Sequence, residues 1–253
     1  MEVQLKVSII TASFNRASTL VRTISSVKRQ SYKNIQHIIV DGASNDNTAL
    51  LALPMLGPQD IFQTEPDMGI YDALNKGLSI SDGDIVAFLH SDDLYFDDKV
   101  ISQVVEVFSD TSIDVVYGDV CFFSDNNINK IKRRYRSSSL SKHNLAWGKM
   151  PAHPAIFIRK RIYNDIGSFK IDFKIAGDYE FLCRLVQHPN LKTFYLSNVL
   201  VKMQLGGIST GGLKNTITLN KEVIRALHIN RIYTNVFMIL SKYPSKILQF
   251  FKT

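Results

Sequence analysis

The chain has 253 residues, 45% of them hydrophobic and 21% charged, with 30 Lys+Arg against 23 Asp+Glu. That composition is ordinary for a globular protein and excludes disordered and fibrous classes, while the length suits one α/β domain with a sizeable core. The net charge of +7 is divided: residues 1–127 sum to −10, 128–170 to +10, 171–212 to +1 and 213–253 to +6.

A uniformly basic nucleic-acid binder would not be divided in this way. Cys121 and Cys183 each sit in an apolar stretch, which fits a reducing interior better than a disulfide framework. The opening MEVQLKVSII lacks the charged n-region, apolar stretch and cleavage site of a signal peptide. No run approaches the ~18 apolar residues of a spanning helix.

In chain order, KVSIITASF (6–14) reads as a buried strand, and Leu20, Ile24 and Val27 recur at helical spacing over 17–30. HIIVDG (37–42) is a second strand stopped by Asp-Gly. Ser44 or Asn45 is placed to cap a short helix ending at Pro54. A third strand at 61–65, a helix at 69–81, a fourth strand at 84–93, a helix at 99–110 and a strand at 114–123 follow. This alternation implies βαβ units and a mostly parallel sheet. The Ser-rich, basic segment 124–142 reads as a solvated hairpin or loop. A strand running into a short helix (155–169), a helix (178–188), a strand (193–204), a glycine-rich loop (206–212) and a helix (215–240) complete the chain. The expected division is a catalytic domain over 1–212 and an amphipathic helical extension over 213–253.

Acidic residues stand where the strands end: Asp41, Asp67, Asp92 with Asp93, and Asp119. In open α/β sheets ligands bind at the carboxyl ends of strands. Carboxylates converging there repel unless a cation joins them, and oxygen ligands favour Mg²⁺ or Mn²⁺, which would let the site take a diphosphate. Each acid also has a plainer role open to it. Asp41 and Asp119 fit turn positions, Asp92 and Asp93 could cap the helix beginning near Asp97, and His90 fits a structural histidine. Asp178 suits a helix N-terminus.

In order, the segments VSIITASFNR (7–16), SVKRQSYKNIQHIIVDGASNDNT (26–48), EPDMGIYDALNKG (65–77), GDIVAFLHSDD (83–93), VYGD (116–119), HPAIFIRKRIYNDIGSF (153–169) and AGDYEFLCRL (176–185) resemble the family 2 glycosyltransferases of GT-A fold. The resemblance covers about residues 5–210 and looks closest to bacterial enzymes of surface-polysaccharide or O-antigen synthesis. It implies a Rossmann-like sheet flanked by helices, and a nucleotide-sugar donor. Thr11, Ser13 and Asn15 would lie near the nucleotide. Asp41 would bond the uracil, and Asp67 would sit against uracil or ribose. HSDD (90–93) aligns with the DXD-type motif, with His90 where Asp or Asn is usual. Asp92 would contact ribose or donor sugar, and Asp93 would ligate Mn²⁺ or Mg²⁺, with His153 a further candidate ligand. Asp178 falls at the position of the general base. Together these imply an inverting transfer, the base taking the acceptor's proton and the metal neutralising the leaving diphosphate.

The basic stretches KIKRRYR (130–136) and RKR (159–161), and a tail bearing Val236, Phe237, Ile239, Leu240, Ile247, Leu248, Phe250 and Phe251 among Lys242, Lys246 and Lys252, suggest an anionic lipid-linked glycan acceptor and membrane surface. A helix packed on the catalytic domain is the other reading of that tail. The expected location is cytoplasmic, peripheral at the inner face of the bacterial plasma membrane. Two alternatives are weaker. A sugar-phosphate nucleotidyltransferase would carry a glycine-rich loop after the first strand, where this chain has TASFNR. A non-catalytic nucleic-acid binder would carry more aromatic residues among its basic ones.

Overall fold

The computed structural model describes residues 4–124, 127–206 and 212–241. β1 (Val7–Ser13) leads into α1 (Ala17–Lys28), β2 (Ile35–Asp41), α2 (Thr48–Ala52), β3 (Ile61–Thr64), α3 (Ile70–Ile80) and β4 (Ile85–Phe88). β1 pairs in parallel with β2 and β4, and β2 in parallel with β3. The register Ser13–Asp41–Thr64 aligns the carboxyl ends of β1, β2 and β3 on one edge. Strand β1 alternates its apolar side chains between two cores. Ile10 packs under α3, and Val7 and Ile9 pack with Val27 of α1, so the sheet is covered on both faces as a parallel sheet requires. Gly77 lets α3 close onto β1, because a Cβ there would overlap Ile10.

Next come β5 (Leu94–Tyr95), α4 (Val100–Phe108), β6 (Val115–Ser124), β7 (Asn127–Tyr135), α5 (Lys142–Ala146), β8 (Ile156–Arg159), α6 (Lys160–Ile166), α7 (Gly177–Leu185) and β9 (Thr193–Gln204). The sheet order is β3-β2-β1-β4-β8-β6-β9-β5, with β7 on β6. β8 is antiparallel to both β4 and β6, β9 is parallel to β6, and the far end of β9 meets β5 antiparallel. The basic segment after Phe123 is thus the second arm of a hairpin with β6, irregular in register near its tip. The strands β5 and the short α5 were not expected. A two-residue strand and a five-residue helix carry too little periodicity to stand out.

The triplet Arg159–Arg161 does not form the expected open basic patch. Arg159 is buried and donates to the carbonyls of Phe108, Asp110 and Ile113. Lys160 bonds the Ser81 carbonyl, and Arg161 pairs with Asp114 at 2.7 Å. A buried guanidinium needs several acceptors, and the turn after α4 supplies them. In the hairpin, Arg134 pairs with Asp119, but Lys130, Lys132 and Arg136 are exposed.

The expected helix over 215–240 is two: α8 (Leu213–Ile229) and α9 (Val236–Leu240). The break follows Asn230, with Arg231 at φ 55, and Asn235 recaps the chain by accepting from the Met238 N–H at 2.9 Å. Val223, Ala226 and Leu227 of α8, with Ile232 and Ile239, lie in the core shared with α3 and α7. The opposite face leaves Leu213, Ile217, Tyr233 and Phe237 exposed. Residues 207–211 of the glycine-rich loop, and the tail after Ser241 with its Lys and Phe residues, lie outside the described residues. Among the described residues no helix is long and apolar enough to cross a membrane.

Candidate active site at the strand ends

Asp41 closes β2 fully buried. Its carboxylate accepts from Ser44 N–H (2.9 Å), Ser44 Oγ (2.5 Å) and Thr64 Oγ1 (2.9 Å). Ser44 therefore serves Asp41 rather than capping α2, whose entry is held instead by Asp46 accepting from Thr48 N–H at 2.9 Å. Asn15, at φ 52, receives the Asn45 N–H on its Oδ1 and donates its own N–H to Ser44 Oγ, stitching the ends of β1 and β2 together. Ser13 Oγ is buried without a partner among the described residues. Thr11 lies deeper, fully buried on His37 Nε2 at 3.0 Å. Asp67 accepts from Gly69 N–H at 2.9 Å, and its other oxygen lies over Gly42 where a Cβ would collide with it. Asp41, Asp67 and Ser13 thus share one corner, with exposed Phe14 beside Gly42.

The second corner is the end of β4. Asp93 is 2% exposed. One oxygen receives the Gln204 N–H at 3.3 Å, and the other is buried with no partner among the described residues. Burial, and then the neighbouring Asp92, hold its carboxyl well above the usual carboxylate range. Thr23 Oγ1 of α1 donates to the Asp93 carbonyl at 2.9 Å and fixes the turn. Neither acid caps the next helix, since Asp97 takes the Lys99 N–H there. An orphaned buried carboxylate costs free energy unless a cation or proton joins it. Among the described residues no three His, Cys, Asp or Glu side chains are grouped to hold a metal ion. Mg²⁺-type ions, however, bind through one or two carboxylates and take their other ligands from phosphates and water. The Asp93 oxygen fits that demand.

From there an aromatic seam crosses the molecule. His90 lies 5.9 Å from His153, which stacks on Phe88 at 5.2 Å and meets Phe169 edge-on at 5.5 Å. Burial, then His90, push the His153 imidazole down to about 3, so it is neutral. Phe169 is pinned by Asn75 of α3, which bonds both its N–H (2.9 Å) and its carbonyl (2.8 Å). Phe169 in turn meets Tyr71 at 5.8 Å. The Tyr71 hydroxyl donates to the Ile175 carbonyl at 2.6 Å and lies 3.3 Å from Asp178 Oδ1.

Asp178 opens α7, accepting from the Tyr179 N–H at 2.8 Å. Desolvation raises its carboxyl to about 6, against the lowering effect of the bonds from Tyr179 and Tyr71. Gly177 packs on the Tyr71 ring, which a Cβ at 177 would meet at 2.7 Å. A carboxylate of that acidity, half-buried at a helix start, is poised to take up a proton near neutral pH. Asp119, by contrast, is a structural clamp: fully buried, it accepts from Arg134, Tyr195 (2.7 Å) and Ser137 N–H (2.9 Å).

Sequence reasoning passed over Gly42, Tyr71 and Asn75. Gly42 and Tyr71 sit inside the quoted motifs, directly after Asp41 and at the start of α3, but their contacts join segments tens of residues apart.

Residues 8–167 match the family model for Glycosyl transferase family 2. A PGL/p-HBAD biosynthesis glycosyltransferase of Mycobacterium tuberculosis is 28% identical over 247 residues, covering 95% of this chain and 91% of that protein. Among solved structures, Staphylococcus aureus TarS 1–349 in complex with UDP-GlcNAc superposes with a TM-score of 0.71 at 16% identity, over 92% of this chain and 68% of that one. The same fragment without ligand is spanned to 65% of its length. The mannosyltransferase PcManGT of Pyrobaculum calidifontis, in complex with GDP-Man and Mn²⁺, gives a TM-score of 0.62 at 14% identity, over 98% and 81%. These two likenesses establish the fold. The nucleotides bound differ between the two proteins.

Proposed function

Because the chain belongs to glycosyl transferase family 2, and so is a glycosyltransferase, we propose that it moves a sugar, with inversion, from a UDP-linked donor to a hydroxyl of a glycan acceptor carried on a lipid diphosphate. The observation that carries this reading is the seam His90–His153–Phe169–Tyr71, which ties the acidic end of β4 to Asp178. It sets a corner suited to a diphosphate against a corner suited to a proton acceptor.

Asp41, Asp67 and Ser13 border the nucleoside corner, with Thr11 and Asn15 shaping the strand ends behind it. Asp92 faces ribose or donor sugar. Asp93 would hold a divalent cation, Mn²⁺ or Mg²⁺, with His153 the further candidate. When bound, that ion supplies charge neutralisation to the departing diphosphate. Asp178 accepts the proton of the acceptor hydroxyl as its oxygen attacks the anomeric carbon. The bond from that carbon to the diphosphate breaks, and the nucleoside diphosphate leaves from the opposite face. An alkyl hydroxyl is far too weak an acid to ionise at neutral pH, so this base is worth about 10²–10⁴-fold in rate. The nucleotidyltransferase and non-catalytic alternatives give way to the family assignment.

For the acceptor side, the reading is supported by Ile131, 49% exposed between Lys130 and Lys132 on β7, and by exposed Tyr233 and Phe237 near α9. Apolar anchors beside cations suit an anionic membrane surface, which supports a peripheral location at the inner face of the plasma membrane. Three measurements test the proposal: transfer, thermal shift and vesicle binding. Transfer is assayed from a panel of UDP-sugars to a lipid-diphosphate-linked sugar with Mn²⁺. Thermal shift is measured with UDP, GDP, CDP and TDP, with and without Mn²⁺, because a ligand that binds the native state raises the melting temperature according to its affinity. A shift with GDP and none with UDP would overturn the donor assignment. Equal binding to neutral and anionic vesicles would overturn the membrane assignment.

A further inference from the structure

The loop that delivers Asp178 precedes α7, whose first turn is bonded by Asp178 itself through the Tyr179 N–H. The N–H groups of that loop point to a side chain from the C-terminal helix α8. Glu222 accepts three consecutive backbone N–H groups, from Lys174 (2.9 Å), Ile175 (2.8 Å) and Ala176 (2.9 Å). One helical turn on, Arg225 bonds both the carbonyl and the carboxylate of Asp172, and its guanidinium stacks 4.5 Å from the Phe173 ring. Residues 172–176 are therefore gripped along their length by one face of α8. From the other side the Tyr71 hydroxyl holds the Ile175 carbonyl at 2.6 Å, and the Tyr71 ring blocks any sag of Gly177. Ile175 is thus held at its N–H by Glu222 and at its carbonyl by Tyr71. A carboxylate receiving three N–H bonds is a strong, directional anchor, since charge-assisted bonds are about twice as strong as neutral ones.

We infer that Glu222 is a positioning residue for the reaction: acting through the loop 174–176, it fixes where Asp178 stands. This rests on the reading of Asp178 as the base. It also gives α8 a role beyond burying apolar surface, because the C-terminal helix reaches the proton-accepting corner of a site whose other side chains come from before residue 186. The charged and titratable groups facing Asp178 are Tyr71 from α3, Tyr179 on its own helix and Glu222 from α8.

The test compares Glu222→Gln, Asp178→Asn and the double variant in the full chain. The readouts are release of UDP from UDP-sugars, with water or the glycan as acceptor, and hydrogen exchange of the amides at 174–176. In Glu222→Gln, an amide NH₂ replaces one accepting oxygen opposite backbone donors. The expected result is faster exchange at 174–176, kcat lowered roughly 10- to 100-fold with donor KM unchanged, and an acid limb moved to lower pH as the Glu222 charge is lost. On the Asp178→Asn background the second change should cost nothing more, because both act as one unit. A purely structural role would lower the melting temperature while leaving the pH profile in place, and its loss would multiply with that of Asp178→Asn. Either outcome overturns the inference, as does unchanged exchange at 174–176. Should Glu222→Gln not fold, Glu222→Asp, which keeps the charge but draws it back by one methylene, decides: an unchanged kcat overturns the inference. Full activity in Asp178→Asn sinks the base reading itself. An inactive Asp178→Asn beside a fully active Glu222→Gln sinks the positioning role alone.

Discussion

At the end of β4 and at the start of α7 the protein withdraws a carboxylate from water, and the two surroundings make opposite groups of them. Asp93 has one oxygen on a long backbone bond and the other, among the described residues, on nothing, with Asp92 beside it. Asp178 has a backbone N–H on one oxygen, with the Tyr71 hydroxyl 3.3 Å from it, and keeps contact with solvent. The first leaves an oxygen open to a cation or a proton among the described residues. The second is satisfied in its ionised form yet raised to about 6, which suits a group that gains and loses a proton each turnover. Burial alone does not assign a role. The partners left unfilled do.

Isosteric amides at the two positions should separate these roles. Asp178→Asn is expected to lower kcat about 10²–10⁴-fold while leaving the thermal shift produced by nucleotide and Mn²⁺ intact. It should also stabilise the free protein at alkaline pH. The folded-state pKa of about 6 lies above the ordinary 3.8, so the folded chain binds the extra proton between these values. Stability is then gained as pH falls through about 6, and the penalty stands in full above it. Removing the charge relieves about 1–3 kcal/mol, a rise of several degrees in melting temperature at pH 8 for a chain of this size. A melting temperature unchanged at pH 8 would place Asp178 in a wetter environment than the structure gives it.

Asp93→Asn should cost about 10²–10³-fold in kcat, the usual scale for one electrostatic stabiliser of a leaving group, and should abolish the part of the nucleotide-induced thermal shift that depends on Mn²⁺. Retention of that part would break the contrast, because the cation would then need another anchor. Tyr71→Phe acts more gently. It removes the hydroxyl that favours the ionised form of Asp178, so the acid limb of the rate profile should move up in pH with a loss of up to about 10-fold near neutrality, read from kcat against pH. A limb that stays in place would mean that the 3.3 Å contact carries no weight.

The β4 corner was legible in the sequence, and the α7 corner only half so, for a physical reason. In IVAFLHSDD the buried strand and the acids that end it are neighbours in sequence, so periodicity and composition carry the signal locally. The edge formed by Asp41, Asp67, Asp92 and Asp93 follows from parallel strands alone. Asp178 came from resemblance, because an acid at a helix start is commonplace. The side chains that place it, Tyr71 and Glu222, are 107 and 44 positions away and leave no local pattern. Charge was the poorest guide. Most acids of the −10 segment serve turns and lattices of their own: Asp46 holds the entry of α2, Asp60 bonds Gly57 N–H and pairs with Lys28, Asp84 bonds Lys6 N–H, and Asp114 holds Arg161. Arg159 looked like surface and is wound into the fold, while Arg161 stays exposed on its pair with Asp114. Net charge counts groups, and burial decides which of them can meet a ligand.

The smallest expected effect lies at the nucleoside corner, and it extends the contrast to a third carboxylate. Gly42 is the only residue type that lets the Asp67 oxygen lie against the turn after β2, since any Cβ would occupy that oxygen's place. Gly42→Ala should therefore push Asp67 outward without touching Asp93 or Asp178. Asp67 is half-buried and tethered by the Gly69 N–H, so it can yield by a small swing of the loop, and the cost should appear as a few-fold rise in donor KM with kcat nearly unchanged. That split is the signature of lost uniform binding. An equal fall in kcat would mean that the nucleoside corner and the chemistry move together. The β2 turn would then belong with α7 as part of the machinery that positions the reacting groups, rather than with the binding of the donor alone.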